Sequence, residues 1–303
     1  MKKILFTTDF SANATKAFHF ALNMAEKHQA ELILAHVFDV PTVFNYPIEY
    51  NPSEMKSNMI KDWKRSLKEF FENYDTKVKA KFDAVEHPSV VKGILSIIEV
   101  HKPQLVIVGT RGKSRIKEVI LGSTTKALVK HSPIPVMAIP EYTDQKDFEK
   151  VLYASDLRED DVQALSMLVQ LVEPYQPDIE ILHIYPDSEY KGIEKIEWFK
   201  ELVKEHIAYE RISFEILRSD DNFSTLHNHM VFNNFDLLVM LEKKRSGIID
   251  KLFHDDLVKK MQFHTRIPLL SYHEHFLLTS DDKDIKKSDT IESCFESTKS
   301  LKH

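Results

Sequence analysis

Three of the chain's six glycines, Gly109, Gly112 and Gly122, fall within fourteen positions of the stretch GTRGKSRIKEVILGSTTKAL, directly after the apolar run LVIV. Glycine is required where a backbone takes positive φ or where a ligand must approach the main chain closely. The GKS inside the stretch suggests phosphate, but a phosphate loop places four residues between its first glycine and GK[ST]. Gly109 and Gly112 are separated by two, so that reading fails. A dinucleotide fingerprint fails as well, because its glycines follow an early strand and these follow the fourth. What remains is G-x2-G-x9-G-S-T, closing on the hydroxyls Ser123, Thr124 and Thr125. These stand at the start of an expected helix, where free N–H groups and the positive dipole end favour an anion. Arg111 and Lys113 add positive charge beside them.

The elements that must position these groups occur twice. KKILFTTDFSANATKAFHFA at residues 2–21 has a counterpart in EKVLYASDLREDDVQALSML at residues 149–168, which matches Asp9 with Asp156 and His36 with His183. PQLVIVGTRGKS resembles FDLLVMLEKKRS, and HSPIPVMAIP resembles HTRIPLLSYH. Both copies alternate short β-branched runs with amphipathic stretches of 3.6-residue period, the pattern of an α/β unit with a mainly parallel sheet. The first copy reads as strands near 2–8, 31–38, 77–84, 105–108 and 136–139, with helices near 13–28, 54–73, 90–101 and 123–131. The second reads as strands near 150–155, 178–185, 212–217, 236–240 and 268–271. A short polar linker spans 141–149, and the serine-rich, mixed-charge residues 277–303 read as a disordered tail. The domain expectation is therefore 1–140, 148–275 and the tail.

Bulk properties bound the partners. A chain of 303 residues with 43% apolar content can bury two ordinary cores. A net charge of −6 and a pI near 6.2 supply no basic field for nucleic acid. The N-terminal MKKILFTTDF lacks a signal-peptide core and no run approaches a membrane span, so the expectation is a cytoplasmic protein without a membrane partner. The single cysteine, Cys294, cannot form an intramolecular disulfide.

The glycine pattern, with TTDFSANA at the end of the first strand and SPIPVMAI at the last, resembles the ATP-binding branch of the universal stress protein family. The resemblance covers nearly the whole chain as a tandem form. It implies a Rossmann-like α/β fold: two doubly wound five-stranded parallel sheets of order 3-2-1-4-5, packed about a pseudo-twofold axis. That order places a ligand beyond the carboxyl ends of strands one and four, where the order reverses. The implied site comprises Thr8, Asp9, Val37, Val108, Gly109, Arg111, Gly112, Gly122, Ser123, Thr124 and Thr125. Asp9 would accept from ribose hydroxyls, or else it or Ser11 caps the following helix. The backbone of Val37 would meet the adenine edge, and Gly109 and Gly112 would admit ribose and phosphates. Magnesium or manganese would bind mainly through phosphate oxygens. ATP, or another adenine nucleotide, is the implied cofactor of a stress-response regulator acting on an unknown protein partner. Pairing of PVMAI with PLLSY would make the chain an internal pseudo-dimer, with a further homodimer through another surface as an option.

The second copy has Leu241, Lys244 and Asp255 at the three glycine positions, so it is expected to bind no ATP in this way. Six of its histidines, His227, His229, His254, His264, His273 and His275, invite a zinc reading. No cysteine or close carboxylate cluster completes a tetrahedral site. Gly93, at a helix start, reads as packing or capping. Two other classes stand beside the regulator: a slow ATPase or phosphotransferase using the same pocket, and an interaction module without nucleotide. Catalysis would want a base near the γ-phosphate, and Glu118 is the nearby candidate, at no recognised catalytic spacing.

Overall fold

The computed structural model of the chain describes residues 1–40, 52–110, 122–141, 143, 147–186, 192–242 and 267–273. In the first half the strands are β1 (Lys3–Thr7), β2 (Glu31–Phe38), β3 (Ala80–Glu86), β4 (Leu105–Gly109) and β5 (Val136–Ile139). The helices between them are α1 (Ala12–Lys27), α2 (Pro52–Glu72), α3 (Val90–His101) and α4 (Ser123–His131). The second half repeats the order with β6 (Lys150–Ala154), α5 (Glu159–Val172), β7 (Asp178–Tyr185), α6 (Gly192–His206), β8 (Ile212–Arg218), α7 (Asn222–Phe232), β9 (Leu237–Glu242) and β10 (Leu269–His273). The largest shift from the sequence expectation is at β3, read near 77–84. It is an edge strand, half exposed along its length, so its alternation pins the ends poorly. The 277–303 tail lies outside the described residues.

The strands form one sheet, in the order β3-β2-β1-β4-β5-β10-β9-β6-β7-β8. Each half keeps 3-2-1-4-5 with parallel pairing inside it, as expected. The two expected sheets are joined into one, because β5 and β10 pair antiparallel with Met137 opposite Leu270, Ala138 opposite Leu269 and Val136 opposite Ser271. Met137 and Leu270 occupy equivalent places in the two repeats, so the pseudo-twofold axis passes between them. Neither exposes any surface. An edge of this apolarity left open would template pairing with another chain, and internal closure removes it.

Both faces of the sheet are covered, which is why its strands are nearly continuous apolar runs. Ile4 and Phe6 of β1 pack toward α1 with Ala17, Phe18, Ala21 and Met24. Leu5 points the other way, to a core that includes Ile94 and Ile97 of α3 and Leu128 of α4. One device ties down the first strand of each half. Gln104 Oε1 accepts from the N–H groups of Lys2 and Lys3 at 2.9 and 2.7 Å. Asp236 Oδ2 does the same for Glu149 and Lys150, at 2.7 and 2.8 Å.

The halves also meet where α1 ends. His28 Nε2 donates to the Leu171 carbonyl at 2.9 Å, beside Tyr175, which in turn packs on Phe148 and lies under the Lys27 ammonium. Asp147 pairs with Lys27, and the amino terminus adds a positive charge near the ring. Burial holds His28 below the ordinary histidine value of 6.5, outweighing its carbonyl partner. The unfolded chain therefore takes up the proton first as pH falls through 6.5, and stability is lost below that point. Thermal midpoints measured between pH 7.5 and 5 should fall less steeply in His28→Gln than in the parent chain; parallel slopes would remove His28 from the account.

Candidate functional site

Strand order reverses between β1 and β4, and at their carboxyl ends the chain leaves a cavity of about 340 Å³. Small-molecule sites commonly have roughly 300–1,000 Å³. Of the eleven residues that the sequence assigned to a site, nine line it: Thr8, Asp9, Val37, Val108, Gly109, Gly122, Ser123, Thr124 and Thr125. Arg111 and Gly112, with Lys113 and Glu118, lie outside the described residues. Thr7, Ala14, His36, Val90, Ile94 and Thr110 also line the cavity and were not read from sequence. Val90 and Ile94 are one helical turn apart on α3, and by pattern alone are indistinguishable from core.

The loop after β1 is built to hold one carboxylate. Ser11 caps α1, its side chain accepting from Ala14 N–H, so the cap belongs to Ser11 and not to Asp9. Asp9 Oδ1 accepts from Ser11 N–H at 3.0 Å, and Thr8 Oγ1 accepts from Phe10 N–H at 2.9 Å. Between them Phe10 takes φ of 58°. A left-handed conformation costs a non-glycine residue roughly 1–2 kcal/mol, so the neighbours must hold it there.

Val37 faces the cavity with its main chain. Along β2, Glu31 and Ala35 exchange hydrogen bonds with the β1 side, whereas Leu32 and Phe38 bond toward β3. The alternation of a parallel ladder turns the N–H and C=O of Val37 to the β1 side. The β1 strand has ended by that level, and Val37 is part of the cavity wall.

At the opposite end of the cavity, α4 begins with Gly122 as its cap and no side-chain cap bond. Its first-turn N–H groups have no intrahelical acceptor, and Ser123, Thr124 and Thr125 of that turn line the cavity. The Thr125 hydroxyl instead donates to the Gly109 carbonyl at 3.2 Å, tying α4 to β4. Thr110 Oγ1 is buried with no hydrogen-bond partner among the described residues. The reason for glycine here is closeness, since no described glycine has positive φ. The Gly122 N–H donates to the Thr110 carbonyl at 2.8 Å, and a Cβ at this position would stand 3.1 Å from that oxygen. Gly93 is a packing residue, as its helix-start position suggested. A Cβ there would come within 2.5 Å of Val37 Cγ1.

Residues 1–140 match the model of the Universal stress protein family. The first half of the chain belongs to the universal stress protein family. A universal stress protein of Methanocaldococcus jannaschii is 29% identical over 156 residues, covering 46% of this chain and 94% of that protein. A second one from the same organism is 26% identical over 147 residues, covering 46% of this chain and 81% of its own length. The crystal structure of a universal stress protein from Archaeoglobus fulgidus, 18% identical, aligns with 90% of this chain and 98% of its own at a TM-score of 0.65. At that identity the likeness is one of fold, and it extends over both halves.

The second half repeats the strand order of the first and changes the residues at the equivalent place. His183 Nδ1 donates to the Ser155 carbonyl at 2.8 Å, as His36 does to Thr8 at 2.7 Å, and Leu157 repeats the left-handed turn of Phe10 with φ of 54°. Where the first half has Ala14, however, the second has Asp161, only 1% exposed. Asp161 accepts from the Tyr153 hydroxyl at 3.0 Å, the Ser155 hydroxyl at 2.9 Å and the Arg158 N–H at 3.1 Å. Burial first, and then this carboxylate, drive the Tyr153 hydroxyl well above its ordinary pKa. Leu241 stands for Gly109, and buried Glu242 for Thr110.

The two described histidines on α7 have separate partners. On α7, His229 Nε2 meets Glu180, while His227 packs on Phe223, so the pair does not share a face. His273 ends β10, and His254, His264 and His275 lie outside the described residues. Among the described residues no group of three or more His, Cys, Asp or Glu could hold a metal, and no helix is long and apolar enough to cross a membrane.

Proposed function

We propose that the first half binds ATP or a closely related adenine nucleotide, and that occupancy regulates an interaction of the chain in a stress response. The observation that carries this is the arrangement of the cavity. A strand-end carboxylate and the turned-out main chain of Val37 lie at one end, and a helix start with hydroxyls and with N–H groups that have no intrahelical acceptor lies at the other. The first set suits ribose hydroxyls and a base edge, and the second suits phosphates. Val90, Ile94 and Val108 give the base an apolar wall. A divalent cation fits this set only through phosphate oxygens, because hydroxyls and N–H groups, not a carboxylate cluster, line the anion end.

Binding without fast chemistry is the reading favoured over an ATPase. Among the described lining residues the titratable ones are Asp9 and His36, and both belong to the β1–β2 end, away from where a γ-phosphate would lie. The test is to denature freshly purified full-length chain and identify the released small molecule by mass. An adenine nucleotide supports the proposal. Protein that emerges empty and fails to bind added ATP, ADP or AMP overturns it in favour of a nucleotide-free interaction module.

A further inference from the structure

The Asp9 loop is braced by different residues in the two halves, and the difference falls on one helical position. In the first half Trp63 of α2 stacks on Phe10, with ring centroids 5.7 Å apart and planes 22° from parallel. Trp63 also lies 4.3 Å from the His36 ring, which packs on Phe10 at 5.2 Å. Phe70 closes the far edge of Phe10 at 6.0 Å. Phe10 is thus enclosed by three rings, and it is the residue whose left-handed turn sets the direction of Asp9. The second half puts lysine at the matching place, since Trp63 and Lys195 each stand 17 residues before the edge strands that begin at Ala80 and Ile212. Lys195 Nζ donates to the Asp156 carbonyl at 2.6 Å, and Leu157 replaces Phe10. The histidine tie is common to both halves and therefore belongs to the fold. Lys195 and Leu157 leave the described residues of the second half without this aromatic clamp.

We propose that Trp63 is a positioning residue for the nucleotide site. The left-handed turn recurs at Leu157 and belongs to the fold; Trp63 fixes the Phe10 ring on that turn so that Asp9 presents its carboxylate to the ribose hydroxyls, an inference that rests on the nucleotide reading above. Trp63 does not itself line the cavity; it touches Phe10, which turns the Asp9 loop, and His36, whose tie to Thr8 the fold keeps in both halves, so the route specific to this half runs through Asp9. A residue that acts through another loses its effect when the other is gone, whereas one that supports the fold does not.

The experiment is a double-mutant cycle on the full chain, titrating ATP with magnesium into the parent, Trp63→Leu, Asp9→Asn and the double variant. Trp63→Leu should weaken binding about tenfold in the parent background, the scale of one displaced hydrogen bond to a carboxylate, and should have no further effect beside Asp9→Asn. Trp63→Phe should restore most of the affinity. Equal losses from Trp63→Leu in both backgrounds, or parent-like affinity in the folded variant, overturn the proposal. Should Trp63→Leu fail to fold, Phe10→Leu, which copies the second half, takes its place in the cycle: a loss confined to the Asp9 background supports the proposal, and an equal loss beside Asp9→Asn overturns it. A parent chain that binds no nucleotide refutes the ligand assignment itself, an outcome separate from the cycle.

Discussion

Calorimetric titration of the full chain with ATP and magnesium should give one site per chain, and Gly122→Asp should abolish it. Two unit charges about 4 Å apart at an effective dielectric near 20 repel by roughly 4 kcal/mol. A carboxylate at the start of α4 should therefore weaken binding of a phosphate about a thousandfold. Because a Cβ at this position already meets the Thr110 carbonyl at 3.1 Å, Gly122→Ala is the necessary companion. A modest loss in Gly122→Ala and a far larger one in Gly122→Asp isolates the charge. Equal losses would mean that the close contact with Thr110, not an anion site, explains the glycine. Two equivalent sites would refute the argument that the second half is closed by Leu241 and the buried carboxylates Asp161 and Glu242. Those carboxylates also imply that Leu241→Gly by itself will not open a second site, since an anion would still meet negative charge.

Residues 1–140 expressed alone should self-associate, and Val136→Lys should make the fragment monomeric. In the full chain Val136, Met137 and Ala138 are each 1% exposed or less, covered by β10 and the helices on either face. Removing the second half exposes an apolar edge whose equivalent partner is another copy of itself, in the same antiparallel register about the same axis. Light scattering across a concentration series checks this, and a strictly monomeric fragment would count against it. In the full chain the corresponding damage comes from Leu270→Asp, which buries an unpaired charge on the axis opposite Met137. A loss of about 4 kcal/mol is expected, as for other large core disruptions, read as a drop in the denaturant midpoint. A change of only a few tenths would show that the two halves are stable without the shared strand pair.

The sequence by itself determined the architecture. Two repeats of alternating short apolar runs and 3.6-period stretches specify two α/β units, because the alternation of burial along each element is a local property that residue order records. It also singled out a glycine cluster after the fourth strand and an aspartate after the first, and the strand order implied by the resemblance is what brings the two together. What only the tertiary structure decided are contacts between residues far apart in the chain. That β5 would meet β10 was already expected; the antiparallel register that puts Met137 opposite Leu270, and so merges two sheets into one, came only from the structure. The outward main chain of Val37 depended on which rungs of the ladder β1 had already taken. The glycines were legible as special, yet their reason was not, because the 3.1 Å between a Gly122 Cβ and Thr110 is a distance across a turn of the fold and not a pattern in the sequence. Trp63 reads as one apolar position on an amphipathic helix; only packing against a left-handed Phe10, fifty-three residues earlier, sets it apart from Lys195 in the other half.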